Sequence, residues 1–102
     1  MKGEPREVYK EVYLKALLIR RLEDIETIKT EVSSGNIVIA KITPLANKSL
    51  EDVKQVVEEL STFAKNIGGE VARLGIERLV VTPPTVKIWK DKSNVSLEPN
   101  RF

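Results

Sequence analysis

Ile37-Val38-Ile39-Ala40-Lys41-Ile42 decides the fold. The stretch is almost continuously apolar and lies between the turn formers Ser33-Ser34-Gly35 and Thr43-Pro44. That pattern marks a short central strand buried on both faces, since a half-wet strand would alternate apolar with polar. Everything else in the chain has to supply neighbours and cover for it.

Upstream, residues 12–19 (Val-Tyr-Leu-Lys-Ala-Leu-Leu-Ile) form a second β-rich run, cut off by Arg20-Arg21. Leu22, Ile25, Ile28 and Val32 then recur at helical spacing, with Glu23, Asp24 and Glu26 in the first turns, where the helix dipole favours acids. Gly35 is the expected left-handed cap. Two strands joined by one helix predict a right-handed crossover and a parallel pair.

Downstream, Thr43-Pro44-Leu45-Ala46-Asn47-Lys48 reads as a connector, and Ser49 with Asp52 resembles a capping box. Leu50, Val53, Val56, Val57, Leu60, Phe63, Ala64 and Ile67 define a longer helix. Its apolar stripe spans roughly 140°, wider than one sheet contact needs, with Val56 and Phe63 at one edge. Gly68-Gly69 stops it. Three short β segments are then expected at 70–74, 78–82 and 86–89, with Gly75-Ile76-Glu77 as a hairpin turn and Pro83-Pro84 as a spacer. The order strand–helix–strand–helix–strand–strand–strand predicts an α+β, two-layer sandwich. Its mixed, roughly five-stranded sheet ends in an antiparallel meander and carries both helices on one face.

A chain of 102 residues is one domain, and 41% hydrophobic residues suffice for a core. We divide it into a polar lead-in (1–11), a globular core (12–90) and a tail (91–102). Absences narrow the function. There is no cysteine and no histidine, which removes disulfides, thiolate chemistry and the serine–histidine and cysteine–histidine nucleophile systems. The commonest zinc and iron ligands go with them. A net charge of +2, evenly mixed, does not announce a nucleic-acid binder. No apolar run approaches the roughly 18 residues that span a bilayer. The expectation is a soluble binding domain of a reducing compartment, without catalytic residues, cofactor or metal.

Several features carry two readings. Gly68-Gly69 resembles a phosphate loop, but such loops precede a helix; after one, a C-cap and tight strand entry fit better. Arg20-Arg21 with Lys15 and Lys10 is either a contact for an acidic partner or a solvated cluster. The Glu51-Asp52 and Glu58-Glu59 pairs lack the alternation and glycine of a calcium loop. Trp89 is core rim or partner contact. Two helices cover only one sheet face, yet the first strand is apolar at both parities: Val12, Leu14, Ala16 and Leu18 on one side, Tyr13, Leu17 and Ile19 on the other. The second face is therefore shielded by lysine stems or by the tail, or it joins two copies.

The series Ile67-Gly68-Gly69-Glu70-Val71-Ala72-Arg73-Leu74-Gly75, followed by Leu79-Val80-Val81-Thr82-Pro83-Pro84-Thr85-Val86-Lys87-Ile88, resembles the core of the SepF family. Val12-Tyr13-Leu14-Lys15-Ala16-Leu17 and the helix, turn and strand between Ile25 and Ile42 are similar to its archaeal branch. The resemblance covers about residues 12–90. It implies a non-enzymatic cell-division adaptor that dimerises, assembles further and binds the C-terminal tail of FtsZ, linking the division ring to the inner face of the membrane. The family carries an N-terminal amphipathic membrane helix. Met1-Lys2-Gly3-Glu4-Pro5 does not fit one, so this chain alone is expected not to bind membranes.

On these grounds Tyr13, Leu17, Gly68 and Gly69 are expected at a self-association contact. Val56, Phe63, Ile67 and Arg73 are candidates for the peptide groove, unless Phe63 is ordinary core and Arg73 solvated. A ligand-sensing domain of ferredoxin-like type with a pocket at its dimer interface is the alternative, and a nucleic-acid-binding sheet a third.

Overall fold

The computed structural model describes residues 11–89; the lead-in up to residue 10 and the tail from residue 90 lie outside the described residues. The elements run β1 (Leu14–Leu18), α1 (Asp24–Ser33), β2 (Ile37–Lys41), α2 (Thr43–Ala46), α3 (Leu50–Ile67), β3 (Glu70–Leu74) and β4 (Arg78–Thr82). They form an α+β sandwich with one sheet ordered β1-β2-β4-β3. β1 and β2 are parallel, as expected for strands joined through a helix.

Two expectations are corrected. The sheet has four strands, because residues 86–89 do not join it. That segment is fixed by side chains instead: the Ile88 N–H donates to the Glu70 carboxylate at 3.0 Å, and Lys87 Nζ donates to the Gly68 carbonyl at 3.1 Å. Nor do the strands after α3 form a meander. β4 pairs antiparallel with both β2 and β3, so the hairpin places its first strand outermost. The residues explain this: Leu79, Val80 and Val81 suit an interior strand, whereas Glu70 and Arg73 suit an edge. The order also differs from the βαββαβ arrangement of a ferredoxin-like domain.

The helices end where the sequence says. The Ser49 hydroxyl accepts from the Asp52 N–H at 3.1 Å, and Gly68 closes α3 at φ 83°. At the start of α1 the Asp24 carboxylate accepts the N–H groups of Arg20 and Arg21. The connector before α3 contains a single extra turn, α2, with its proline in the first turn, where no N–H is needed.

Alternation along the strands separates the two faces. Val38, Ala40, Leu79 and Val81 are buried under the helices with Ile19, Ile25, Ile28, Val32, Ile42, Leu45, Val53, Val56 and Leu60. Lys15 and Leu17 of β1 share that side, Lys15 reaching Glu31 of α1 at 2.9 Å. The opposite face has no cover among the described residues. Its middle row runs Ala16, Ile39, Val80, Ala72 across four strands. Beside it run Leu14 with Ile37, and Leu18, Lys41, Arg78 and Leu74.

Candidate functional site

Two surfaces can receive a macromolecule: the open sheet face and a groove where α3 meets β3. The groove, about 460 Å³, is lined by Leu50, Val53, Lys54, Val57, Glu58 and Arg73. Its wall on α3 arises from helical spacing, since Leu50, Val53 and Val57 recur every three to four residues and project together. Leu50 is 69% exposed, a large side chain without cover at the helix start. Lys54 and Glu58, four apart, form a charged rim.

Arg73 supplies the opposite wall. It pairs with Leu79 in the β3–β4 register, so its side chain leaves the strand on the helix side. There it is half-buried and its Nη2 donates to the Ile76 carbonyl at 3.3 Å. Burial lowers its pKa from the ordinary arginine value, yet an arginine remains charged throughout the physiological range. A partly desolvated guanidinium beside aliphatic side chains suits a carboxylate while the leucine and valines take apolar residues.

The sequence-chosen set is not brought together. Val56 is fully buried in the core and cannot floor a groove. Phe63 faces the α1 flank, where Lys29 Nζ sits 5.8 Å from its ring centre and Glu59, Thr62 and Asn66 complete a shallow cleft. Ile67 lines a third depression with Val32, Pro83 and Pro84. At 100° per residue, Phe63 and Val57 point about 120° apart, on opposite flanks of the stripe. Only Arg73 of the four candidates lines the α3–β3 groove; Leu50, Val53 and Val57 were missed. Leu50 was the available signal, as a large apolar residue opening a helix that needs no core contact there.

The self-association candidates divide similarly. Leu17 packs toward the core beneath the helices, so on β1 the open-face residues are Leu14, Ala16 and Leu18. Tyr13 is exposed and its hydroxyl donates to Glu11 at 2.8 Å. Gly68 and Gly69 serve the chain's own turn. The Gly68 N–H donates to the Lys65 carbonyl and the Gly69 N–H to the Ala64 carbonyl.

No three His, Cys, Asp or Glu residues group to hold a metal among the described residues. A sheet face without cover among the described residues and an aliphatic groove walled by an arginine are surfaces suited to a protein partner. The family follows from comparison with known proteins. Residues 15–88 match the family model described as cell division protein SepF, and the chain belongs to that family. The SepF of Haloferax volcanii is 29% identical over 72 residues, which are 71% of this chain and 60% of that protein. Among solved structures, the SepF-like protein from Pyrococcus furiosus superposes with a TM-score of 0.72 at 36% identity, covering 80% of this chain and 99% of the other. The SepF-like protein from Archaeoglobus fulgidus gives 0.72 at 26%, covering 80% and 98%. SepF from Methanobrevibacter smithii, solved in complex with FtsZ-CTD, shares the fold at 0.69 and 19% identity, covering 78% and 99%.

Proposed function

We propose that this protein is a non-enzymatic division adaptor that binds the C-terminal tail of FtsZ in the α3–β3 groove and self-associates through its open sheet face. The observation that carries the reading is the groove itself. Leu50, Val53 and Val57 stand opposite a half-buried Arg73, a combination suited to a short peptide with apolar anchors and an acid. The relative from Methanobrevibacter smithii, captured with FtsZ-CTD, supports the choice of peptide. The open face supports self-association, since its middle row, Ala16, Ile39, Val80 and Ala72, is apolar across all four strands.

In this reading the protein works at the division site on the inner face of the membrane. No helix among the described residues is long and apolar enough to cross a membrane. The test is a calorimetric titration with the FtsZ tail peptide. Leu50→Asp and Arg73→Glu should each weaken binding by about 2 kcal/mol, roughly thirtyfold, while Phe63→Ala on the other flank leaves it within twofold. Equal affinity for parent, Leu50→Asp and Arg73→Glu, all folded, would remove the groove from the account.

A further inference from the structure

We infer that the outer edge of β1 is a strand-pairing surface for the β1 of a second copy, in antiparallel register with the two-fold axis at Ala16. This goes beyond the tail-binding reading and stands without it.

The backbone shows which groups are free to pair. The Ile37 N–H donates to the Tyr13 carbonyl and the Ile19 N–H to the Lys41 carbonyl, both at 2.9 Å. In a parallel ladder both polar groups of a residue turn toward the same neighbour, so residues 13, 15, 17 and 19 spend theirs on β2. Leu14, Ala16 and Leu18 therefore direct their N–H and C=O groups outward, and β1 has no second neighbour among the described strands. The same residues place Leu14, 63% exposed, and Leu18, 42% exposed, on the open face.

Exposed edges are usually guarded by proline, bulges or charges. The other edge is guarded: residues 87 and 88 are tied across the start of β3 through Gly68 and Glu70. β1 has neither glycine nor proline. Its single charge, Lys15, is a lone guard and is held in an ion pair with Glu31 of α1.

The outward set is symmetric about Ala16, so a reversed copy matches it. Leu14 would lie opposite the partner's Leu18 and Ala16 opposite the partner's Ala16, each pair exchanging both backbone hydrogen bonds. Lys15 would meet the partner's Leu17, so no like charges oppose. The apolar middle row of the open face would continue across the joint through the Ala16 pair. A five-residue edge buries less than the roughly 1,000 Å² expected of a stable interface, so it adds to a face contact rather than replacing it. Two different self-complementary contacts on one chain extend an assembly instead of closing it.

The chain's lack of cysteine makes the register testable. Leu14→Cys and Leu18→Cys chains are mixed equally in a glutathione buffer. The mixed disulfide should exceed the two symmetric ones by roughly tenfold, because Cα atoms of such pairs sit about 5.5 Å apart, within disulfide reach. Adding Ala16→Pro to both chains removes an outward N–H and no bond to β2. It should abolish the preference while thermal unfolding and tail-peptide affinity stay at parent values. A statistical disulfide distribution would overturn the inference, and that arm stands even if the proline variant fails to fold. A preference that survives Ala16→Pro in folded protein, or one erased by saturating tail peptide, would overturn it equally, assigning the edge to face packing or to the peptide.

Discussion

Gly69→Ala should destabilise this protein more than Gly68→Ala, although Gly68 has the positive φ. At Gly68 the backbone is left-handed, at 83°, and an added Cβ would meet only the Pro84 side chain at 3.5 Å, an ordinary contact. The cost there is conformational, about 1–2 kcal/mol. At Gly69 an added Cβ would fall on the Thr82 carbonyl oxygen, with the Thr82 and Pro83 carbonyl carbons at 3.2 and 3.4 Å. Neither neighbour can yield easily. Thr82 is paired with Glu70, its buried hydroxyl accepts the Glu70 N–H at 3.2 Å, and Pro83 behind it is buried. Relief requires parting β3 from β4 at their joined end, which we place at about 3 kcal/mol, the upper range for overpacking. At roughly 4–8 °C per kcal/mol for a domain this size, Gly68→Ala should melt about 4–16 °C below parent and Gly69→Ala about 12–24 °C below it. Melting followed by far-UV circular dichroism decides it. Gly69→Ala melting within a few degrees of parent, or above Gly68→Ala, would mean that Thr82 and Pro83 do not confine this position. The obstacle is the chain's own strand, so Gly69→Lys should also unfold the strand entry rather than only altering assembly.

Other consequences are smaller. Glu31 has its pKa lowered from 4.5, first by its bond to Lys15 and then by Asn36. Its stabilising effect is therefore complete above about pH 4.5 and fades as the pH falls further, and Glu31→Gln should flatten that part of a melting-temperature profile against pH. Ser49→Ala removes the acceptor for the Asp52 N–H and should cost about 1 kcal/mol in urea unfolding. Leu60→Ala, at a fully buried site on α3, should cost about 2–5 kcal/mol by the same assay.

The parts of the fold legible in the sequence are those set by local chemistry. The uninterrupted apolar run of β2, the helical spacing in α1 and α3, Ser49 and Gly68 at the ends of α3, and Gly75 in the hairpin each state their own conformation. Residues 86–89 have strand composition but pair through Glu70 and Gly68 rather than through a ladder, which composition does not reveal. The position of β4 between β2 and β3 depends on which strand tolerates an edge, a comparison across the whole sheet. The groove was half legible. Arg73 follows from a charged donor on the strand after α3, but a 140° stripe has two flanks. Only tertiary placement shows that α1 takes the Phe63 side and β3 the Val57 side.

Binding of the FtsZ tail in the α3–β3 groove can be followed by NMR, through the backbone amide chemical shifts of the isotopically labelled protein as the tail peptide is added. The largest changes should fall at Leu50, Val53, Lys54, Val57 and Arg73, with Phe63, Ile67 and the β1 edge nearly still. Changes centred on Phe63 and Lys29, or on Leu14, Ala16 and Leu18, would contradict it.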